Sequence, residues 1–327
     1  MILVVGGAGY IGSHVGKLLR AEGIPYVVFD NLEEGHRAAV GPAEFILGDL
    51  RKPEQVLAAL QSRKFDLVMH FGAYISVGQS VREPGKYFEN NTAGVLNLLE
   101  AMRQTSTDKF VFSSTAAVYG EPQYVPIDED HPKAPTSPYG LSKLMVEQML
   151  PSFETAHGLR SVCLRYFNAA GADQDGELGE AHRTEEHLIP LAIFAAQGKR
   201  PMLKVFGNDY DTVDGTCFRD YIHIEDLAQA HLLAVRHLLG GGGSRQYNLG
   251  NGQGFSVRQV IDTVERVSGL KVPHEDAPRR PGDPAKLIAS SERIRAELGW
   301  TPQRPNLDDI VGDAWRWHES HPDGFGD

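Results

Sequence analysis

The sequence predicts an α/β fold: a parallel sheet covered by helices on both faces, followed by a smaller mixed α/β lobe. Three observations carry this. Short apolar runs at 2–5, 26–29, 44–47, 67–71, 109–113 and 161–165 alternate with helical stretches at 12–21, 53–60, 87–102 and 139–153. Strands buried on both faces read as continuous apolar runs, and their alternation with helices marks a parallel sheet. A glycine turn, Gly6-x-x-Gly9-x-x-Gly12, joins the first run to the first helix. After about Asn168 the rhythm changes, and Gly, Asp, Glu and Pro cluster at 172–183 and 207–215.

These features place a first domain at 1–169, to which 221–251 returns, and a second lobe at 170–220 and 252–327. The glycine run 240–243 reads as a loop, because ordered-looking sequence resumes at Gln246. The 327 residues are 41% hydrophobic and 23% charged, ordinary for a globular chain with room for a large core. A net charge of −11 argues against nucleic-acid binding, and an anionic substrate would need a local arginine cluster. Of the two cysteines, Cys163 lies in the apolar run Val162-Cys163-Leu164 and reads as a buried thiol, with no pattern for a disulfide framework or zinc. No apolar stretch approaches membrane-spanning length, and the chain enters its first strand at residue 2 without a signal peptide, so a cytoplasmic protein is expected. Asn90-Asn91-Thr92 matches a glycosylation pattern, read here as a chance match.

Each glycine of the turn has its own reason. Gly6 permits the tight turn, Gly9 lets backbone N–H groups approach a pyrophosphate, and Gly12 allows the helix to pack closely on the strand. The spacing differs by one residue from the usual dinucleotide fingerprint, and alone it fits a ligand-free glycine turn equally well. Asp30 tips the balance by ending the second strand, where a carboxylate accepts hydrogen bonds from the adenosine ribose. The same charge would repel a 2′-phosphate, which favours NAD over NADP. Alone, Asp30-Asn31 would read as a strand-end turn.

Tyr139 and Lys143 stand four residues apart and share a helix face. A phenol with a pKa of about 10 is a poor base at neutral pH, and lowering it by ~3 units takes ~4 kcal/mol. A neighbouring ammonium and a cationic nicotinamide would both favour the phenolate. Taken alone, the pair also fits a surface helix with a lysine and a capping tyrosine. Thr115, ending the fifth strand, changes that reading.

With Thr115 added, the set resembles the extended short-chain dehydrogenase/reductase family. Longer runs resemble its UDP-glucose/UDP-galactose 4-epimerase branch: Gly9-Tyr10-Ile11-Gly12-Ser13-His14, Asp30-Asn31-Leu32, Gly48-Asp49, residues 112–114 with Val118-Tyr119-Gly120, Ser137-Pro138-Tyr139-Gly140, residues 143–148, 164–172 and 206–210, and Arg219-Asp220-Tyr221-Ile222-His223. Arg165-Tyr166-Phe167-Asn168 is specific to that branch, and the likeness continues to Trp315-Arg316-Trp317 and His321-Pro322.

The resemblance implies a Rossmann-type domain and a tightly held NAD. It makes Tyr139 the acid/base, Lys143 its tuning group and a ribose ligand, and Thr115 the group orienting the substrate hydroxyl. Cofactor contacts would come from Gly6, Gly9, Tyr10, Ile11, Gly12, Asp30, Asn31, Asp49, Leu50, Phe71, Gly72, Asn90, Ser113, Tyr139, Lys143 and Phe167. A UDP-sugar would meet Thr115, Tyr139, Asn168, His187, Leu188, Lys204, Phe206, Arg219, Tyr221, Arg280, Asp283 and Leu287. Arg219 and Arg280 suit the diphosphate, and Asp283 the uridine ribose. A homodimer is implied too, through helices 87–102 and 139–153, with Val95, Leu98, Leu99, Leu144 and Met149 open to core or interface.

Departures from the family pattern are informative. A lysine common in the loop after the fourth strand is Ile75 here, and Phe71-Gly72-Ala73 permutes the usual order. His187 replaces an asparagine, and reads either as a uridine-diphosphate contact or as a loop histidine. No ligand-rich spacing accompanies His182 and His187, so no metal is expected. Dehydratases of this fold carry acidic residues after the active-site threonine, whereas Thr115 is followed by Ala116-Ala117, whose methyl groups transfer no proton. UDP-xylose/UDP-arabinose and UDP-uronate 4-epimerases are the nearest rivals. A non-catalytic NAD-binding sensor is disfavoured because Tyr139, Lys143 and Thr115 are all present. Leu287 aligns with the position whose bulk sets the room beside the sugar's carbon 2, which implies that the N-acetylhexosamine pair is admitted; the alternative is a leucine that only packs a lobe interface.

Overall fold

Two apolar layers sandwich a sheet whose strands run in one direction, and the alternation along the first strand shows how. In this computed structural model, which describes residues 1–280 and 282–326, Ile2 and Val4 enter one core while Leu3 and Val5 enter the other. The period of two in a strand buried on both faces produces both layers at once.

The first half contains strands β1 (Ile2–Val5), β2 (Tyr26–Asp30), β3 (Glu44–Leu47), β4 (Leu67–His70), β5 (Lys109–Thr115) and β6 (Arg160–Tyr166). Between them lie helices α1 (Tyr10–Ala21), α2 (Pro53–Gln61), α3 (Val77–Arg82), α4 (Pro84–Phe88), α5 (Gly94–Gln104) and α6 (Pro138–His157). Next come β7 (Asn168–Ala170), α7 (Leu188–Ala196), β8 (Leu203–Phe206), β9 (Phe218–Arg219), β10 (Tyr221–His223), α8 (Ile224–Leu239) and β11 (Arg245–Leu249). The chain closes with β12 (Phe255–Ser256), α9 (Val257–Ser268), β13 (His274–Ala277), β14 (Lys286–Leu287), α10 (Glu292–Leu298) and α11 (Leu307–Ser320).

Among the described residues the main sheet has seven strands in the order β11-β6-β5-β4-β1-β2-β3, every neighbouring pair parallel. The winding reverses between β1 and β4. In a doubly wound sheet, that switch point opens a crevice at the C-terminal strand ends. α8 packs on the same apolar layer as α1, and β11 continues the sheet beside β6. Ile189, Ile193, Val260, Val264 and Ile310 lead a separate core formed by α7, α9 and α11. The short pairs β8–β13, β9–β12 and β9–β14 border that lobe.

The helix expected at 87–102 is instead two helices joined by a π turn at Glu89–Ala93. The wider turn directs adjacent side chains inward, as π turns at functional sites do. Asn91 accepts the Tyr74 N–H at 3.0 Å and donates to the Tyr74 carbonyl at 2.9 Å. The loop after β4 is thereby fixed.

α6 starts where its sequence provides a start. Ser137 caps it by accepting the Gly140 N–H at 3.1 Å, Pro138 opens the first turn, and Gly158 ends it with φ +71°. Tyr139, Lys143 and Glu147 then follow at four-residue intervals along one side.

Candidate active site

The glycine turn is built by close approach. A Cβ on Gly6, whose φ is +77°, would lie 2.2 Å from the Gly72 nitrogen, and one on Gly12 would lie 2.3 Å from the Gly6 carbonyl oxygen. Any side chain at either position would push β1, α1 and the loop after β4 apart. Gly9 forms the N-cap of α1 without a side-chain cap, so the first-turn N–H groups keep their capacity for an anion. A cleft opens beside this turn at the switch point. Gly6, Gly9, Asp30, Asn31, Leu50, Phe71, Gly72 and Asn90 line it, while Tyr10, Ile11 and Gly12 form the adjoining first turn of α1. This cradle, too tight for a Cβ yet open along one wall, fits a dinucleotide.

Asp30 is nearly buried at the end of β2. Its carboxylate accepts the Ala8 N–H at 3.0 Å and the Leu32 N–H at 2.8 Å. Burial raises its pKa, and these backbone donors partly offset the rise. Each oxygen retains a second lone pair for a ribose hydroxyl. Asp49 stands at the rim, clamped by Arg51 at 2.6 Å, which holds its carboxyl below the usual range.

The sequence reading missed several walls of this cleft: Phe29, Glu33, Glu34, Gly48, Ala73 and Tyr74. The turn signal after Asp30 could have located Glu33 and Glu34. Ile75 is exposed, as its departure from the family lysine leaves it. A cation reaches the same loop from Lys86, whose Nζ lies 4.0 Å above the Tyr74 ring.

Thr115 ends β5 and Tyr139 lies in the first turn of α6, close enough for the threonine hydroxyl to favour the phenolate. Thr115 Oγ1 also accepts the Ala117 N–H at 3.1 Å, which fixes its rotamer. Lys143 is buried, with Nζ donating to the Ser113 carbonyl at 2.8 Å and lying 5.0 Å above the Phe112 ring. Burial pushes its ammonium down from 10.5 to about 7, and the Glu147 carboxylate one turn further along opposes that fall.

The phenol departs from expectation. Burial raises Tyr139 above its ordinary 10.0, and the Thr115 hydroxyl offsets only part of this.

A buried network holds α6 in register. Arg165 forms an ion pair with Glu147 at 2.5 Å and donates to the Tyr119 hydroxyl at 2.8 Å, while Ser114 donates to Glu147 at 2.6 Å. Ser114 precedes Thr115, and Glu147 follows Lys143 by one turn. The pair thus ties the threonine strand to the tyrosine helix.

The expected nucleotide side is only partly assembled. Asn168 donates from its side chain to the Asp220 carbonyl at 2.8 Å, and β7 pairs with β10, which begins at the buried Tyr221. Asp220, not expected as a site residue, is a hub: it accepts N–H groups of Asn251 at 2.7 Å, Gly252 at 3.1 Å and Ala289 at 3.0 Å. It fixes Arg219 and Tyr221 on either side of it. Arg219 forms an ion pair with Asp283, and the Arg280 guanidinium stacks 3.9 Å above Phe206. Lys204 is exposed on β8 opposite Glu275, and His187 caps α7 just before Leu188. Phe167 and Leu287 each pack against the small cluster of Ala116, Val118, Tyr119, Ile127 and Leu144, which follows Thr115 in the chain.

A doubly wound sheet carrying a tyrosine, a lysine and a threonine beside a glycine-turn cleft is the scaffold of the extended short-chain dehydrogenase/reductases. Within it, the chain belongs to the NAD dependent epimerase/dehydratase family, whose model matches residues 2–250. It is 50% identical to a UDP-glucose 4-epimerase of Halalkalibacterium halodurans, over 99% of this chain and 97% of that one. It superposes with TM-score 0.94 on the crystal structure of UDP-glucose 4-epimerase from Brucella ovis in complex with NAD, at 47% identity, covering 96% of this chain and 97% of that one. The UDP-Glc/GlcNAc 4-epimerase of Campylobacter jejuni matches with TM-score 0.86 at 43% identity, covering 98% and 99%.

Proposed function

We propose that this chain interconverts UDP-glucose and UDP-galactose by epimerising carbon 4, with NAD as its resident cofactor. The observation that carries this is the meeting of Thr115, at the end of β5, with Tyr139 in the first turn of α6, and Lys143 buried one turn further along with its ammonium on the Ser113 carbonyl. The full-length likeness to UDP-glucose 4-epimerases supports the substrate class.

NAD supplies a hydride acceptor, and then a hydride donor, for carbon 4. Tyr139, as phenolate, takes the proton of the 4-hydroxyl, and the carbon–hydrogen bonding pair leaves as hydride. Thr115 bonds both the phenol and the sugar hydroxyl, which shortens the proton path and sets the reacting atoms close together. The 4-keto sugar turns its other face, accepts the hydride and recovers its proton from Tyr139. Net redox change is zero.

Turning requires a fixed nucleotide and a loosely held sugar. Arg219, Arg280, Asp283, Asn168 and Leu188 serve as the anchor in this reading, with His187, Lys204, Phe206 and Tyr221 around it. A division at 1–169 with 221–251, against 170–220 with 252–327, lets one unit hold NAD and the other UDP. The N-acetylated pair is also admitted past Leu287, as the name of the Campylobacter relative supports.

The chain acts in the cytoplasm as a homodimer in this reading; no described helix is long and apolar enough to cross a membrane. Val95, Leu98, Leu99 and Leu144 are buried in the chain's own cores, so they are not the dimer surface. Leu96 on α5 and Leu141 and Met145 on α6 are exposed and take that role.

Adding UDP-galactose to the purified protein tests the reading. UDP-glucose should accumulate without lasting absorbance in the reduced-nicotinamide band. A sensor would produce no UDP-glucose.

A further inference from the structure

Outside the catalytic cleft, the segment between β7 and α7 gathers four metal-ligating side chains. The ligand atoms of Glu180, His182, Glu185 and His187 all lie within 4.8 Å of one another. The spacing of His182 and His187 led to no metal being expected, yet Glu180 and Glu185 each stand two residues before one of them and share their site.

The spacing is informative. His182 Nδ1 lies 3.2 Å from Glu180 and 3.4 Å from Glu185, and His187 Nδ1 lies 3.6 Å from Glu185. The longer two exceed hydrogen-bond length. Glu185 turns a different oxygen to each ring, Oε2 to His182 and Oε1 to His187, so the four side chains gather their donors around one point. His187 and Glu180 are closer still, joined in a hydrogen bond that an ion between them would replace.

Charge points the same way. The side chains of Glu180 and Glu185 are only 4% and 8% exposed, yet face the same point. Two carboxylates withdrawn from water side by side require compensating positive charge, which the two imidazoles supply when protonated and a divalent ion would supply in place of their protons. Both imidazoles turn Nδ1 toward that point.

We propose that Glu180, His182, Glu185 and His187 bind a zinc-class divalent cation. Four protein donors fill a tetrahedron, so the site is structural and not catalytic. Its location gives it a purpose. The His182 ring lies 6.3 Å from that of Tyr10 in the first turn of α1, and His187 immediately precedes α7. The ion would clip the cofactor-turn helix to the helix carrying Leu188.

The test uses the full-length protein, stripped with a chelator and titrated with zinc by calorimetry. Metal content is read by mass spectrometry and NAD content serves as a check on folding. The proposal expects about one zinc per chain, with an affinity loss of about tenfold or more in Glu185→Gln and in His182→Ala at unchanged NAD content. Glu185→Gln preserves side-chain shape and reads the site even where His182→Ala fails to fold. No zinc uptake by the parent chain, or equal uptake by a folded variant, overturns the proposal and leaves a histidine–carboxylate ion network. Magnesium binding as tightly as zinc would overturn the assignment to a zinc-class ion.

Discussion

Arg219 and Asp283 form an ion pair across the second lobe, and Arg219 also donates to the Pro284 carbonyl at 2.9 Å. The family resemblance assigns the two to different parts of UDP, one to the diphosphate and one to the ribose. If the two serve as the anchor proposed above, their pairing holds it in place before the nucleotide arrives. Each keeps the other's charge compensated in a partly buried place, so neither must be desolvated anew on binding.

It follows that Arg219→Ala should weaken UDP binding by about tenfold or more, since a charge-assisted hydrogen bond contributes roughly 1.5–3 kcal/mol. Calorimetric titration with UDP measures this. An unchanged dissociation constant removes Arg219 from the anchor.

Lys143 predicts a pH signature in stability. Its pKa falls from 10.5 to about 7 on folding. Below about 7 the lysine is charged in both folded and unfolded states, so the burial cost is present in full. Above 10.5 it is neutral in both and the cost is absent. Between these limits the unfolded state binds more protons, and stability rises with pH. Lys143→Met should therefore be the more stable protein at about pH 6, by on the order of 2 kcal/mol after the lost bond to Ser113 is allowed for. The advantage should shrink toward about pH 9–10. Urea unfolding across that range checks it, and a difference that does not change with pH contradicts the buried placement.

Leu287 packs against the cluster of Ala116, Val118, Tyr119, Ile127 and Leu144. Leu287→Tyr should suppress epimerisation of UDP-N-acetylglucosamine at least about tenfold while sparing UDP-glucose, because overpacking costs roughly 1–3 kcal/mol. Parallel assays of both sugar pairs decide the matter. Full retention of N-acetyl activity in the variant would make Leu287 a packing residue only.

The exposed apolar residues of α5 and α6 predict a dimer mass in light scattering at micromolar concentration. Leu141 and Met145 are 40% and 38% exposed and lie one turn apart. Leu141→Glu with Met145→Glu should produce a folded monomer. A monomeric parent chain would rule out the interface.

Much of the site was legible because it is written locally. The glycine turn, the acid ending β2 and the Tyr139–Lys143 spacing each lie within one strand–turn–helix unit, where period and turn chemistry are readable. The long strands of the main sheet were legible for the same reason. β9, β12 and β14 have two residues each, too short for a period, and went unseen. The π turn escaped because its cause is tertiary: Asn91 satisfies Tyr74 from another element. Hidden too were relationships across long separations, such as Arg165 with Glu147 and Asp220 with Ala289. The raised phenol of Tyr139 could not be read from spacing at all, because it depends on burial.

The central claim is that Tyr139 moves the substrate proton. Tyr139→Phe removes one oxygen and leaves the cleft and the nucleotide anchor as they are. The decisive measurement is its turnover of UDP-galactose, alongside NAD content and UDP affinity. The account predicts a fall in kcat of about 10²–10⁴-fold, the usual contribution of a positioned acid/base, with both binding measurements unchanged. Near-normal turnover in a variant that retains NAD would contradict it.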